Sequence, residues 1–211
     1  MRCFAIAACI LGLAAVSHAA IVPAAVVDAT TQGSWIGTYG SDGYILAGYD
    51  NTASDRVDLP DYIASYSTPP AQRWNWGVSD ARAMQDPLNP AVRKLACWYA
   101  DPTFTLNLVP ARDVSFQLGV YVVSEAPVSR VETLSISGGG LAGTDTFSNF
   151  GGGMWYVYDV TAQAGVPVAL TIVRSVGVNA VVSGLAFDVP EPASIGLLAV
   201  GGVLALIRRR R

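Results

Sequence analysis

Apolar and polar residues alternate through the middle of the chain. In "VSFQLGVYVV" Val114, Phe116, Leu118, Val120 and Val122 fall on one side, and in "TFTLNLV" Phe104, Leu106 and Leu108 do the same. A period of two is the repeat of an extended strand with one face buried. Further strands are predicted at "GYILAGY", "DYIASYS", "VETLSIS", "MWYVYDV", "VALTIVR" and "NAVVSGLAFDV". Glycine clusters, "SGGG" and "FGGG", punctuate the series. No stretch has the apolar stripe of an amphipathic helix, and nothing repeats at a fixed longer period. The pattern predicts an all-β body, a β-sandwich or jelly roll of about eight to ten antiparallel strands. "SDARAMQDPLNPAVRK" reads as a long loop with at most one helical turn. "GGGLAG", Gly138 to Gly143, has the spacing of a dinucleotide-binding turn, but the following "TDTFSNFGGG" cannot start the helix such a site needs. It reads as a hairpin connection.

Both ends break the alternation. "MRCFAIAACILGLAAVSHAA" has a positive charge at Arg2, an apolar run from Cys3 to Val16, and Ser17 and Ala19 as the small residues of a cut site. This predicts a cleaved secretory signal peptide over residues 1–19, then a linker over 20–29. An uncleaved anchor helix, or a lipoprotein cut before Cys9, are the alternatives. At the other end Ala193 to Ile207 carries no charge. As a helix it would be about 22 Å long, short of the roughly 30 Å hydrocarbon core, and long arginine stems can snorkel across part of the gap. Pro190 and Pro192 block helix upstream, and Arg208, Arg209, Arg210 and Arg211 hold the terminus on the cytoplasmic side. The prediction is a transmembrane helix with the body outside. A buried core helix is the alternative, but it leaves the arginine cap without a reason.

Removing these ends changes the available chemistry. His18, Cys3 and Cys9 leave with the signal, so the body has no histidine, and Cys97 is its one thiol. An intramolecular disulfide is then excluded. Eight basic residues face fifteen acidic ones over residues 20–188, a net charge of −7 that offers no footprint for nucleic acid. Without histidine there is no Ser-His or Cys-His pair and no common zinc site. Cys97, in "ACWYA", reads as an inert buried thiol. Glu125, Glu132 and the aspartates could supply an acid–base pair for glycoside hydrolysis, but no spacing singles out two of them. The body therefore reads as non-enzymatic, without an organic cofactor.

Two groups remain as candidate binding residues. Asp50, Asp55, Asp58 and Asp61 crowd "DNTASDRVDLPD". The first three are candidate ligands for a structural calcium ion, with a solvated acidic loop as the alternative. Sugar rings stack on flat aromatic side chains. Trp74 and Trp76 of "RWNW" would share one side of a strand, and Trp35, Tyr39 and Tyr44 lie in the glycine-rich entry. Core packing is the competing fate for each.

The order Val189-Pro190-Glu191-Pro192, apolar segment, arginine cluster resembles the PEP-CTERM sorting signal of Gram-negative bacteria, here over residues 189–211. That resemblance implies recognition by an exosortase, transient residence in the inner membrane, release to the surface or extracellular matrix, and association with exopolysaccharide and biofilm. "TTQGSWIGTYGSDGYILAGYD", "LACWYADPTFTLNL" and "NAVVSGLAFD" together resemble a galactose-binding-like jelly-roll domain of exported bacterial proteins, spanning residues 30–188. That implies a carbohydrate-binding role on a fold that many non-binding proteins also use. Three readings follow: an exported binding module for extracellular polysaccharide, a glycan-active enzyme with an Asp/Glu pair, and a matrix protein without a pocket.

Overall fold

The computed structural model describes residues 24–50, 54–75, 79–124, 129–138 and 141–189. They form β1 (Val26–Asp28), β2 (Gly43–Leu46), β3 (Arg56–Asp58), β4 (Ile63–Ser67), β5 (Ala71–Asn75), β6 (Met84–Asp86), β7 (Asn89–Ala100) and β8 (Thr103–Pro110). There follow β9 (Val114–Val122), β10 (Val131–Gly138), β11 (Leu141–Ser148), β12 (Met154–Ala162), β13 (Val168–Val176), β14 (Ala180–Val182) and β15 (Gly184–Asp188). A single 3₁₀ turn, Phe150–Gly152, is the one helical piece among the described residues. The signal segment and the segment 193–207 lie outside them. Among the described residues no helix is long and apolar enough to cross a membrane.

The strands build a β-sandwich. One sheet has the order β1-β12-β9-β15-β2-β3 and the other β11-β10-β13-β8-β4, with antiparallel pairing in both. A smaller sheet, β14-β7-β5 with β6 added to β7, closes one side. The main core lies between the two large sheets. Leu106 and Leu108 of β8, Leu134 of β10, and Leu170 and Ile172 of β13 face Leu118 and Val120 of β9 and Phe187 of β15. Cys97 is buried in this core, 1% exposed.

The strands outnumber the expected eight to ten because short edge pieces such as β1, β3 and β6 carry too few residues to show alternation. The expected loop at 79–94 is instead the β6–β7 hairpin, with Met84 opposite Lys94 and Gln85 opposite Arg93. Its charges hid it. Lys94 is only 6% exposed, and its Nζ donates to the Tyr49 carbonyl at 2.6 Å while standing 4.6 Å over the Tyr49 ring. The "GGGLAG" stretch is a hairpin connection: β10 and β11 pair antiparallel through Gly138 and Leu141. Gly138 has φ +81°, and a Cβ there would meet the Pro167 carbonyl oxygen at 2.2 Å.

The outer side of the five-stranded sheet follows from the same alternation. Thr144, Ser135, Thr171 and Thr105 stand in one row across β11, β10, β13 and β8. Thr146, Thr133, Val173 and Thr103 form the next. The five strands hold three charged residues, Glu132, Asp145 and Arg174, and each falls on the inward parity of its strand. Glu132 is fully buried, Asp145 accepts from Tyr158 and the Ala24 amide, and Arg174 pairs with Asp101 at the sheet end.

Glu132 couples the core to pH. Its Oε1 accepts from the Val181 amide at 2.9 Å, and its Oε2 has no hydrogen-bond partner. Burial raises its pKa to about 8, against the opposing pull of that amide and of Arg130. The folded state therefore holds a proton that the unfolded chain releases near 4.5. The stability that Glu132 contributes is fully present below that lower value and is lost as pH rises through the upper one.

Two outcomes are expected in urea unfolding of the full chain. Leu170→Ala costs about 2–5 kcal/mol, whereas Thr171→Val, one residue away on the outer face, changes stability by no more than about 0.5 kcal/mol. Wild-type stability falls between pH 4.5 and about 8, and Glu132→Gln flattens that slope; an unchanged slope would show that Glu132 is charged in the folded state.

Candidate functional site

Part of the six-stranded sheet is buried on its other side as well, while Ser115, Gln117, Asp159 and Thr161 form exposed pairs at the far end of β9 and β12. Tyr121 of β9 and Trp155 of β12 point away from the main core into a second cluster with Trp35, Tyr49, Met84 and Leu95. The turns on either side of β2, residues 29–42 and 47–50, and the β6–β7 hairpin cover this cluster. Gly33 clamps the two together: its amide donates to Ala81 and its carbonyl accepts from Gln85, both at 3.0 Å. A Cβ at Gly33 would lie 2.1 Å from the Ala83 carbonyl oxygen, so no larger residue permits this approach.

The clamp places Trp35 under a shallow cleft of about 220 Å³, lined by Trp35, Tyr39, Tyr44, Pro87, Asp188 and the backbone of residues 36–41. Trp35 is 3% exposed; its indole N–H donates to the Gln85 carbonyl at 3.1 Å, and its ring meets Tyr44 edge-on at 5.2 Å. Trp35 is therefore the floor of the cleft and part of the core, not an open stacking platform. Tyr39 is half-buried. One face lies against Trp155, 4.6 Å between ring centres, and its hydroxyl donates to Asp28 at 2.9 Å. Burial and that carboxylate raise the Tyr39 phenol above its ordinary range. Burial acts to raise Asp28 too, but hydrogen bonds from Thr31 and Thr30 outweigh it and hold the carboxyl well below the usual range. Tyr44 is half-buried at the rim. Asp188 fixes the wall: its two oxygens accept from the amides of Gly40 at 2.9 Å and Ser41 at 2.7 Å. Gly40 has φ +74°, which favours glycine in that turn.

The other expected site residues are dispersed. Trp74 lies in β5, where the register with β7 shifts between Arg73 and Asn75, so Trp74 has no residue opposite it. Trp76 lies outside the described residues. The acidic loop is not gathered around a point. Asp50 accepts from Arg56 at 2.6 Å, and Arg56 also bonds Asp86. Asp55 turns inward to accept from Gly48, Trp98 and Thr68. Burial raises Asp55 against those three hydrogen bonds. Asp58 is an exposed residue of β3, and Asp61 pairs with Arg112. Among the described residues no cluster of three His, Cys, Asp or Glu could hold a metal ion. Asp50 and Asp55 thus direct carboxylate oxygens to Arg56 and to Gly48, Trp98 and Thr68, and the three candidate residues face different partners.

The sequence did not single out Asp188 and Pro87 as cleft walls. The only signal was position: Asp188 ends the last apolar run, and Pro87 sits in the stretch taken as a loop. Val189, the first residue of the expected sorting motif, is 43% exposed and borders a neighbouring depression with Pro60, Tyr62 and Arg112. Pro190, Glu191, Pro192 and Arg208 to Arg211 lie outside the described residues.

No curated protein matches the chain. Among solved structures, a likeness is found to a carbohydrate-binding module, TmCBM61 in complex with beta-1,4-galactotriose, at 10% identity and a TM-score of 0.32, covering 59% of this chain and 83% of that one. Values this low support no transfer of ligand or site. Residues 188–211 match the PEP-CTERM protein-sorting motif, so the cleft wall Asp188 is also the residue at which the sorting segment begins.

Proposed function

We propose that the protein is exported by its N-terminal signal peptide and lodged in the inner membrane by its C-terminal helix. An exosortase then processes it, and it is retained at the cell surface or in the extracellular polysaccharide as a non-enzymatic carbohydrate-binding module. The sorting motif at residues 188–211 carries this reading. A tail of that type places the folded body outside, with the arginines inside and the Pro-Glu-Pro segment at the outer boundary. Pro190 and Pro192 favour an extended, accessible backbone around Glu191.

The cleft supports the binding half of the reading. Its aromatic floor and rim offer apolar area, and Thr38 and Ser41, which also line it, carry hydroxyls beside that area. Its size suits a single ring rather than a long chain segment. A hydrolase would need two carboxyl groups about 5–9.5 Å apart facing a substrate. Asp188 is the one carboxylate lining the cleft, and both its oxygens are occupied by backbone amides. Glu132, whose pKa is strongly raised, is sealed in the main core.

Sorting is checked by expressing the full chain in a host that encodes an exosortase and reading intact mass in each cell fraction. The wild type is expected to lose its tail and leave the membrane, whereas a Pro190→Ala/Pro192→Ala variant keeps the tail. Recovery of the native chain in the cytosol with both ends intact would overturn the export reading. For the cleft, a glycan array of the full chain in detergent is expected to give a selective signal, and Tyr44→Ala to weaken it by about tenfold. Equal binding to every sugar, or no effect of the substitution, argues against the cleft.

A further inference from the structure

The outer face of the five-stranded sheet is on the opposite side of the sandwich from the aromatic cleft. It has no charged side chain among the described residues, in a body whose net charge is −7. Soluble surfaces ordinarily intersperse charges, and sheet edges are ordinarily guarded by lysine or other charged groups. Here both edge strands, β11 and β4, lack outward charge, and hydroxyls replace it. The row Thr144, Ser135, Thr171 and Thr105 crosses four neighbouring strands, repeating at the inter-strand spacing of about 4.8 Å. Thr105 and Thr171 are 2.9 Å apart, oxygen to oxygen, and Asn107 donates to Ser67 at 3.2 Å. Each hydroxyl keeps further donor or acceptor capacity toward a ligand.

We propose that this hydroxyl lattice is a contact face for a neutral, hydroxyl-rich polysaccharide, one without carboxylate or sulfate groups. Charge complementarity selects the class: an uncharged face costs a neutral polymer no ion desolvation, while the acidic body repels polyanions. Size also favours the polymer over a second copy of the chain. Four outward residues on each of β8, β10, β11 and β13 and two on β4 project to roughly 570 Å² at strand spacing, short of the roughly 800 Å² per partner that a stable protein interface buries. Single hydroxyl contacts are weak in water, so recognition requires a ligand that repeats its hydroxyls across the rows. The inference rests on the exported, matrix-facing reading but not on the cleft.

The test is affinity electrophoresis of the full chain in a polyoxyethylene detergent, through gels containing a soluble galactomannan or, separately, alginate. The wild type is expected to be retarded by galactomannan and not by alginate. Thr105→Val/Thr144→Val/Thr171→Val keeps side-chain shape and strand propensity and is expected to lose about tenfold or more in apparent affinity. Thr105→Glu, a single exposed change, is expected to act in the same direction and serves if the triple variant does not fold. Unretarded wild type, or face variants that migrate like it, overturns the proposal. So does a concentration-dependent dimer in sedimentation that the valine variant dissociates, because the face then belongs to a second copy. If Tyr44→Ala abolishes retardation while the face variants keep it, the polymer belongs to the cleft: this inference falls and the cleft reading stands.

Discussion

Burial of one end of the six-stranded sheet on both faces is the constraint from which the rest of the molecule follows. Along β9, Val120 and Val122 enter the main core while Tyr121 enters the second cluster. Along β15, Leu185 and Phe187 face one way and Ala186 the other. A sheet apolar on both sides needs two covers. The five-stranded sheet supplies one. The turns on either side of β2, residues 29–42 and 47–50, supply the other together with the β6–β7 hairpin, and this second cover is irregular and glycine-dependent. The cleft forms there because a cover made of turns cannot close over Trp35 as evenly as a sheet would.

The two sides of the sandwich are consequently different kinds of surface. The cover side is aromatic, concave and fixed by side-chain-to-backbone bonds such as those of Trp35, Tyr39 and Asp188. The sheet side is uncharged and repetitive. A concave site distinguishes one ring from another, and a repetitive face accumulates many weak contacts along a chain.

The sequence made legible what repeats with a short period. β8, β9, β10, β12 and β13 all lie where the alternation predicts them, because half-buried strands must alternate. The run "GVYVV" in β9 already carries the sign of burial on both faces, since its polar positions have vanished. The β6–β7 hairpin was not legible. Lys94 and Arg93 look solvent-facing until Tyr49 and Ser34 supply their partners, both remote in sequence. The aspartates of the acidic loop suggest a cation site as a string of letters, yet Arg56 neutralises Asp50 and the Trp98 indole holds Asp55 inside. Trp35 and Tyr39 were found as residues of interest, but not their burial, which depends on a close approach at Gly33. The sorting segment was legible because its chemistry is local: two prolines, an uncharged stretch and an arginine cap lie consecutively.

The tail continues from β15, which sits between β9 and β2 and is hydrogen-bonded on both sides. A pull applied at the C-terminal end of β15 would therefore load two ladders in shear at once. Had the tail emerged from an edge strand such as β3 or β1, the same pull could peel the body open one bond at a time. Exit through a central strand makes the start of the C-terminal segment harder to peel away than an exit through either edge strand.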